Sequence, residues 1–222
     1  EAYKVLGDVA CREVAERAVR FVDTNLYRDG RLLRTWTAGE AKLDAYLDDY
    51  AFLVNALLDL YEGTADPSLV TRAAELGSTI LDRFEDHEHG GFFFTGTGHE
   101  ELVQRPKPVF DGSIPSGNSA AVQGLLRLFH YLGDQRFLTA AERAIRSFGA
   151  GMAQNPFGFA HMIGVADFYL RKPREVVIVG RPDDAVTAEL RARIHVAYVP
   201  NKTVVVTDPA SSERFPVAEN KT

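Results

Sequence analysis

Leu60-Tyr61-Glu62-Gly63-Thr64-Ala65-Asp66 ends one apolar helical run and opens another, and Phe129-His130-Tyr131-Leu132-Gly133-Asp134 does the same further along. Two such tight helix-to-helix turns imply helical hairpins on a common plan. Apolar residues recur at helical spacing through the first three quarters of the chain. Val9, Val14, Ala15, Ala18, Phe21 and Val22 form the first stripe. Further helices are predicted over about 45–62, 67–84, 116–132, 135–153 and 156–170, with Pro67 acceptable in a first turn. Phe21, Phe84 and Phe148 close the first, third and fifth helices at spacings of 63 and 64 residues, a period typical of repeats. Six helices therefore pair into three hairpins, and self-similar pairs stack into a solenoid or close into a toroid.

The connections alternate between tight and long. Residues 27–44 and 85–115 form long links, but they hold Trp36, Phe92, Phe93, Phe94 and Phe110, which disordered segments lack. They are expected to be ordered loops gathered at one end of the stack. Helices beginning near Ala45, Ser116 and Pro156 should then form an inner row. Those beginning near Asp8, Pro67 and Gln135 should form an outer one. After Pro173 the pattern changes to a strand over 175–180, a helix over 183–196 and a strand over 203–206. The division is a helical part, 1–172, and a small β-α-β addition, 173–222, whose polar end Asn220-Lys221-Thr222 should fray.

Composition is that of a globular protein, with 45% hydrophobic and 25% charged residues in 222. A net charge of −6 argues against nucleic acid as the main partner. No apolar run reaches the roughly 18 residues that span a membrane. The single Cys11 excludes an internal disulfide and a Cys-rich metal site, and it fits a reducing, cytoplasmic setting. The chain opens at Glu1 without a basic-then-apolar leader, and it is read as a fragment or processed part of something longer.

Candidate chemistry gathers at two loop-to-helix entries. One is Asp111-Gly112-Ser113-Ile114-Pro115-Ser116-Gly117-Asn118-Ser119, where Ser116 is placed to cap and Gly117 permits close approach to the backbone. The other is Asp44-Ala45-Tyr46-Leu47-Asp48-Asp49-Tyr50-Ala51-Phe52. Free N–H groups and a positive dipole end at such places suit an oxygen-rich ligand. Asp48 and Asp49 lie about 100° apart on the helix, so they do not both face one site. One serves the dipole or the cap. The other is a candidate sugar-hydroxyl acceptor or acid–base. Tyr50 and Trp36 offer stacking faces, against the ordinary reading of aromatics as core. His161, at the analogous start of the sixth helix, is the best histidine for a general base, against a packed or capping role. The candidate catalytic residues are thus Asp49, Asp111 and His161. Trp36, Asp48, Tyr50, Arg105 and Asn118 are candidates for substrate binding. Arg34, Arg105 and Lys107 meet an acidic ligand or simply pair with neighbours.

Asp86-His87-Glu88-His89 reads as a polar turn, since its histidines lack the i, i+4 zinc spacing, and no metal is expected. Val176-Val177-Ile178-Val179-Gly180-Arg181-Pro182 lacks the dinucleotide fingerprint, and no phosphate-loop or Gly-x-Ser-x-Gly motif occurs, so no cofactor is expected.

Asp48-Asp49-Tyr50-Ala51-Phe52, Gly90-Gly91-Phe92-Phe93, Arg105-Pro106-Lys107, Asp111 through Ser119, Asn155-Pro156, Arg174 through Gly180 and Tyr198-Val199-Pro200-Asn201-Lys202 appear in that order. Over nearly its whole length the chain resembles the C-terminal part of the thioredoxin-domain-containing YyaL/spermatogenesis-associated-protein-20 family. The resemblance implies an N-terminal thioredoxin-like domain, absent here, followed by an (α/α)6 toroid of the six-hairpin glycosidase kind, similar to N-acylglucosamine 2-epimerases. It makes this chain mainly α: a partial toroid of three helical hairpins plus the family's terminal β-α-β addition. Two functions from different classes follow. One is a carbohydrate-active, epimerase- or glycosidase-like cavity for a sugar-like small molecule, completed by the missing half of the toroid. The other is a non-catalytic toroid that binds a ligand or protein and serves the redox domain. Open edges with Leu53, Val54, Leu57 and Leu58, or Val122, Leu125, Leu126 and Phe129, imply that the isolated chain self-associates or is marginally stable, and that it is catalytically silent alone.

Overall fold

The two tight turns are built alike. Ala65 and Gly133 take left-handed backbone, with φ of 63° and 69°, and return their N–H groups to Tyr61 and Phe129 carbonyls. The next residues, Asp66 and Asp134, turn their side chains to the first-turn N–H groups of Ser68 and Arg136 and so start the following helix. The computed structural model describes residues 1–99, 104–208 and 215–218. In it the turns join α3 (Leu47–Thr64) to α4 (Pro67–Phe84) and α5 (Gly117–Leu132) to α6 (Gln135–Gln154).

Two helices precede these hairpins, α1 (Ala2–Leu6) and α2 (Val9–Asn25), and α7 (Ala160–Arg171) follows them. α3, α5 and α7 lie side by side as an inner row, with α4 and α6 behind them and α2 at the α3 edge. Asn55 donates to the Ala120 carbonyl at 2.8 Å, and His161 lies 2.9 Å from Gln123, so the three inner helices run parallel. This layering makes the protein mainly α, an arc of an α/α toroid. The N-termini of the inner row share one end with the long connections. Their C-termini share the other end with the β-α-β unit.

That unit is β4 (Arg174–Val179), α8 (Ala185–Val196) and β5 (Lys202–Thr207), with the strands parallel and Val177 opposite Val205. Val205, Phe215 and Ala218 belong to the same core as Tyr50, Tyr61, Phe84, Leu125 and Tyr131. One core therefore runs across the 172/173 boundary. Val204, Val206 and Ile178 form a small satellite around Ala65. The Tyr61 hydroxyl accepts the Val206 N–H at 3.3 Å and pins the sheet to the end of α3.

Three expectations are corrected. The connection over 27–44 is not a loop but an antiparallel meander of β1 (Tyr27–Arg28), β2 (Arg31–Thr37) and β3 (Glu40–Asp44). Its turns, Asp29-Gly30 and Ala38-Gly39, have positive φ at both positions (51° and 75°, 52° and 82°), the backbone that two-residue hairpins require. The first apolar stripe is also only half used. Ala15, Val19 and Val22 pack inward, whereas Val9, Val14 and Phe21 remain 48%, 56% and 45% exposed. The reason is that α2 meets α3 on one side, while α1, β1 and the edge of the Trp36 ring cover its other faces only in part. Finally, residues 156–159 form a 3-10 turn with Asn155 accepting the Gly158 N–H, and α7 starts only at Ala160. The C-terminal Asn220-Lys221-Thr222, and residues 100–103 of the second long link, lie outside the described residues.

Candidate functional site

α3 packs Tyr50, Val54, Leu57 and Tyr61 into the core, so Asp48, Phe52, Asn55 and Asp59 fall on the opposite face at i, i+4, i+7 and i+11. On α5 the corresponding line is Gly117, Ala120, Gln123 and Arg127, and on α7 it is His161, Gly164 and Phe168. Side by side these make a polar inner face on an otherwise apolar array. Two adjoining hollows of about 450 and 210 Å³ lie along it, sharing Gln123, Arg127, Phe168 and Asn201. His161 Nε2 and Gln123 Oε1 are 2.9 Å apart at the smaller hollow. Burial lowers the His161 pKa, and Asp111 nearby only partly opposes it, so the ring is neutral at pH 7 and can both donate and accept.

The larger hollow is floored by a compact charge cluster. Arg127 donates to Asp59 at 2.9 Å and lies 3.3 Å from Glu62. Lys4, from α1, donates to Glu62 at 2.8 Å, and the Tyr131 hydroxyl donates to Glu62 at 2.6 Å. Burial pushes the Glu62 carboxyl up, but the Arg127 guanidinium and the Lys4 ammonium outweigh it and hold the group below the usual carboxylate range. Lys4 also pairs with Glu1 at 2.5 Å, and these opposite charges brace α1, α3 and α5. The region presents amide, imidazole and guanidinium donors beside the Phe168 ring, and it can hold a hydrogen-bonding ligand. Among the described residues, no group of three or more His, Cys, Asp or Glu is placed to hold a metal ion.

No protein-family model matches the chain. It aligns with spermatogenesis-associated protein 20 of Rattus norvegicus at 29% identity over 99% of its own length, and with that of Mus musculus at 30% over 87%. The chain is a relative of spermatogenesis-associated protein 20. The Homo sapiens protein shows 28% identity over 92% of the chain. The chain spans only 30%, 26% and 27% of the rat, mouse and human relatives. Among solved structures, a cellobiose 2-epimerase from Spirochaeta thermophila superposes with a TM-score of 0.48 and 24% identity, over 64% of this chain and 37% of that one. No helix of the described residues is long and apolar enough to cross a membrane.

The residues singled out from the sequence separate into several environments. Asp49 accepts the Tyr46 N–H at 2.9 Å and the Arg34 guanidinium at 3.0 Å, so it starts α3. Asp111 accepts three backbone N–H groups, from Ser116, His161 and Met162, and ties the starts of α5 and α7 together. Those bonds hold its carboxyl below the usual range despite burial. Asn118 is fully buried and spends its amide on Phe92 and on the Pro108 carbonyl. Tyr50 is fully buried, with its hydroxyl accepting the Leu32 N–H. Arg105 caps the Thr95 and Arg83 carbonyls and lies over the Phe93 ring. Trp36 packs edge-on against Phe21, 6.0 Å away, on the meander. In the Asp86–His89 turn, Asp86 accepts the Glu88 and His89 N–H groups and the Lys107 ammonium.

Of all these, Asp48 and His161 reach the inner face. Asp48 lies against α5 so closely that a Cβ at Gly117 would fall 1.9 Å from its Oδ1. Burial, and then the Asp49 charge, raise the Asp48 pKa, with Arg34 opposing. Sequence reasoning missed Asn55, Asp59, Gln123, Arg127, Phe168 and Asn201. The signal was present: polar residues recurring at helical spacing on helices whose remaining positions are apolar.

Proposed function

We propose that the inner face of α3, α5 and α7 binds a sugar-like, polyhydroxylated small molecule, within a longer cytoplasmic protein that completes the toroid and carries a thioredoxin-like domain. The observation that supports this reading is the pair of hydrogen-bonding side chains Gln123 and His161 beside the flat Phe168 ring at the smaller hollow, with Gln123 and Phe168 shared by the larger one. Amides and a neutral imidazole match hydroxyl groups, which both donate and accept. A ring face suits the C–H side of a pyranose. Carbohydrate turnover would further need a free acid–base pair. Asp49 and Asp111 are engaged by helix starts, which favours the second reading, a ligand-binding toroid serving the redox domain, wherever chemistry is absent. In the full-length protein, a panel of mono- and disaccharides should show saturable binding that falls at least fivefold in both Gln123→Ala and His161→Ala. Uniform failure of the panel to bind would remove the carbohydrate reading and leave the non-catalytic one.

A further inference from the structure

α8 sets Ile194 against the small satellite core but otherwise buries polar residues and exposes apolar ones. Val186, Leu190 and Val196 face solvent, and the most deeply buried stripe is Thr187, Arg191 and His195. Two of the three buried residues have partners. Thr187 donates its N–H to Asp184, which starts the helix, and His195 Nε2 lies 3.0 Å from the Glu62 carbonyl. Arg191 does not. It is only 8% exposed, and its Nη1 is fully buried with no hydrogen-bond partner. The carboxylates of the adjoining charge cluster are spent elsewhere: Glu62 on Lys4, Arg127 and Tyr131, and Asp59 on Lys4 and Arg127. A buried guanidinium without a counter-charge is strongly disfavoured, because desolvation is not repaid. Arg191 lines a hollow of about 350 Å³ between α1, the end of α3 at Gly63, and α8.

We propose that this hollow is a binding site for a small oxyanion-bearing molecule, a phosphate monoester or a carboxylate, with Arg191 as its principal ligand. A guanidinium presents paired N–H donors whose geometry matches either group. The hollow shares only Lys4, Val5 and His195 with the larger hollow on the inner face, so the site stands apart from the sugar-binding reading. Lys4 Nζ, on its wall, is already committed to Glu1, Asp59 and Glu62. The site therefore recognises its anion through the Arg191 guanidinium and admits one oxyanion group.

The test is titration calorimetry and thermal unfolding of the full chain with inorganic phosphate and, separately, acetate, at fixed ionic strength set by chloride. The wild-type chain should bind at least one of them saturably and unfold at a higher temperature as its concentration rises. Arg191→Met should bind at least tenfold more weakly, lose that thermal response, and be no less stable than the wild type without the anion. Phosphate binding tighter than acetate assigns a phosphate monoester, and the reverse order assigns a carboxylate. Absence of saturable binding for both anions overturns the proposal. So does an Arg191→Met chain that is destabilised or unfolded in anion-free buffer, since the guanidinium would then have a partner within the protein.

Discussion

At the start of α3, Asp49 holds the Tyr46 N–H and the Arg34 guanidinium, whereas Asp48, one residue earlier, has no hydrogen-bond partner among the described residues. Asp49→Ala removes a helix-start bond and an ion pair. It should cost about 1–2 kcal/mol, and a domain of this size loses about 2–4 °C in Tm for each of these. Asp48→Asn should do the opposite. A carboxyl whose pKa is raised by burial and by a like charge is disfavoured when ionised. The neutral amide relieves that penalty, and Tm at pH 7 should hold or rise. Thermal melts of the two variants side by side decide the matter. A loss in Asp48→Asn as large as in Asp49→Ala would show that the Asp48 charge stabilises the fold. A tolerated Asp48→Asn would also free Asp48 for a role facing ligand, which none of the other sequence-nominated carboxylates retains.

Among the elements, α5 and α7 begin on a shared anchor. Asp111 accepts the N–H groups of Ser116, His161 and Met162, so one side chain fixes two helix starts. Asp111→Ala leaves three donors without their acceptor and should destabilise by about 2–4 kcal/mol. Chemical denaturation would report it, and a change under 1 kcal/mol would mean that water replaces the carboxylate without loss. Element boundaries were legible wherever local chemistry decided them. Helix α4 spans Pro67–Phe84 as read, because Pro67 and Asp66 fix its start and the apolar repeat runs to Phe84. The meander was equally written in the chain: Asp29-Gly30 is a strong two-residue hairpin signal, overlooked beneath the charged residues around it. Periodicity does not reveal which of two apolar lines on one helix will face a neighbour. Val14 and Phe21 of α2 therefore looked like core and are not. The inner-face stripe escaped notice for a related reason. Asn55, Gln123 and His161 lie far apart in sequence, and only the parallel packing of three helices aligns them.

Across the whole molecule, titration should act in two steps. Burial keeps His130, His161 and His195 below the ordinary histidine pKa, so the unfolded chain binds their protons first. Stability is then full above about pH 6.5 and declines as pH falls below it. Glu62 and Asp111 are held low by their partners, so their contribution is present above about pH 4.5 and is lost as pH falls through the folded values. The raised Asp48 works in the contrary direction and offsets a little of that loss. Denaturation midpoints measured from pH 8 to pH 3 should therefore show a shallow decline and then a steeper one, and Glu62→Gln should flatten the second. A profile level from pH 8 to pH 4 would contradict this account.

The β-α-β unit closes the end of the inner row through contacts that reach far along the chain. The Tyr61 hydroxyl waits for the N–H of Val206, 145 residues later, and the Glu62 carbonyl waits for His195, 133 residues later. A ribosome adds about 5–20 residues each second. The hairpins, whose contacts are local, are thus made several seconds or more before the piece that seals them. For that interval the nascent helical array must stand with an unfinished end, shielded by its own partial packing or by a chaperone. Synthesis order turns the arrival of β5 into the step that commits this part of the fold.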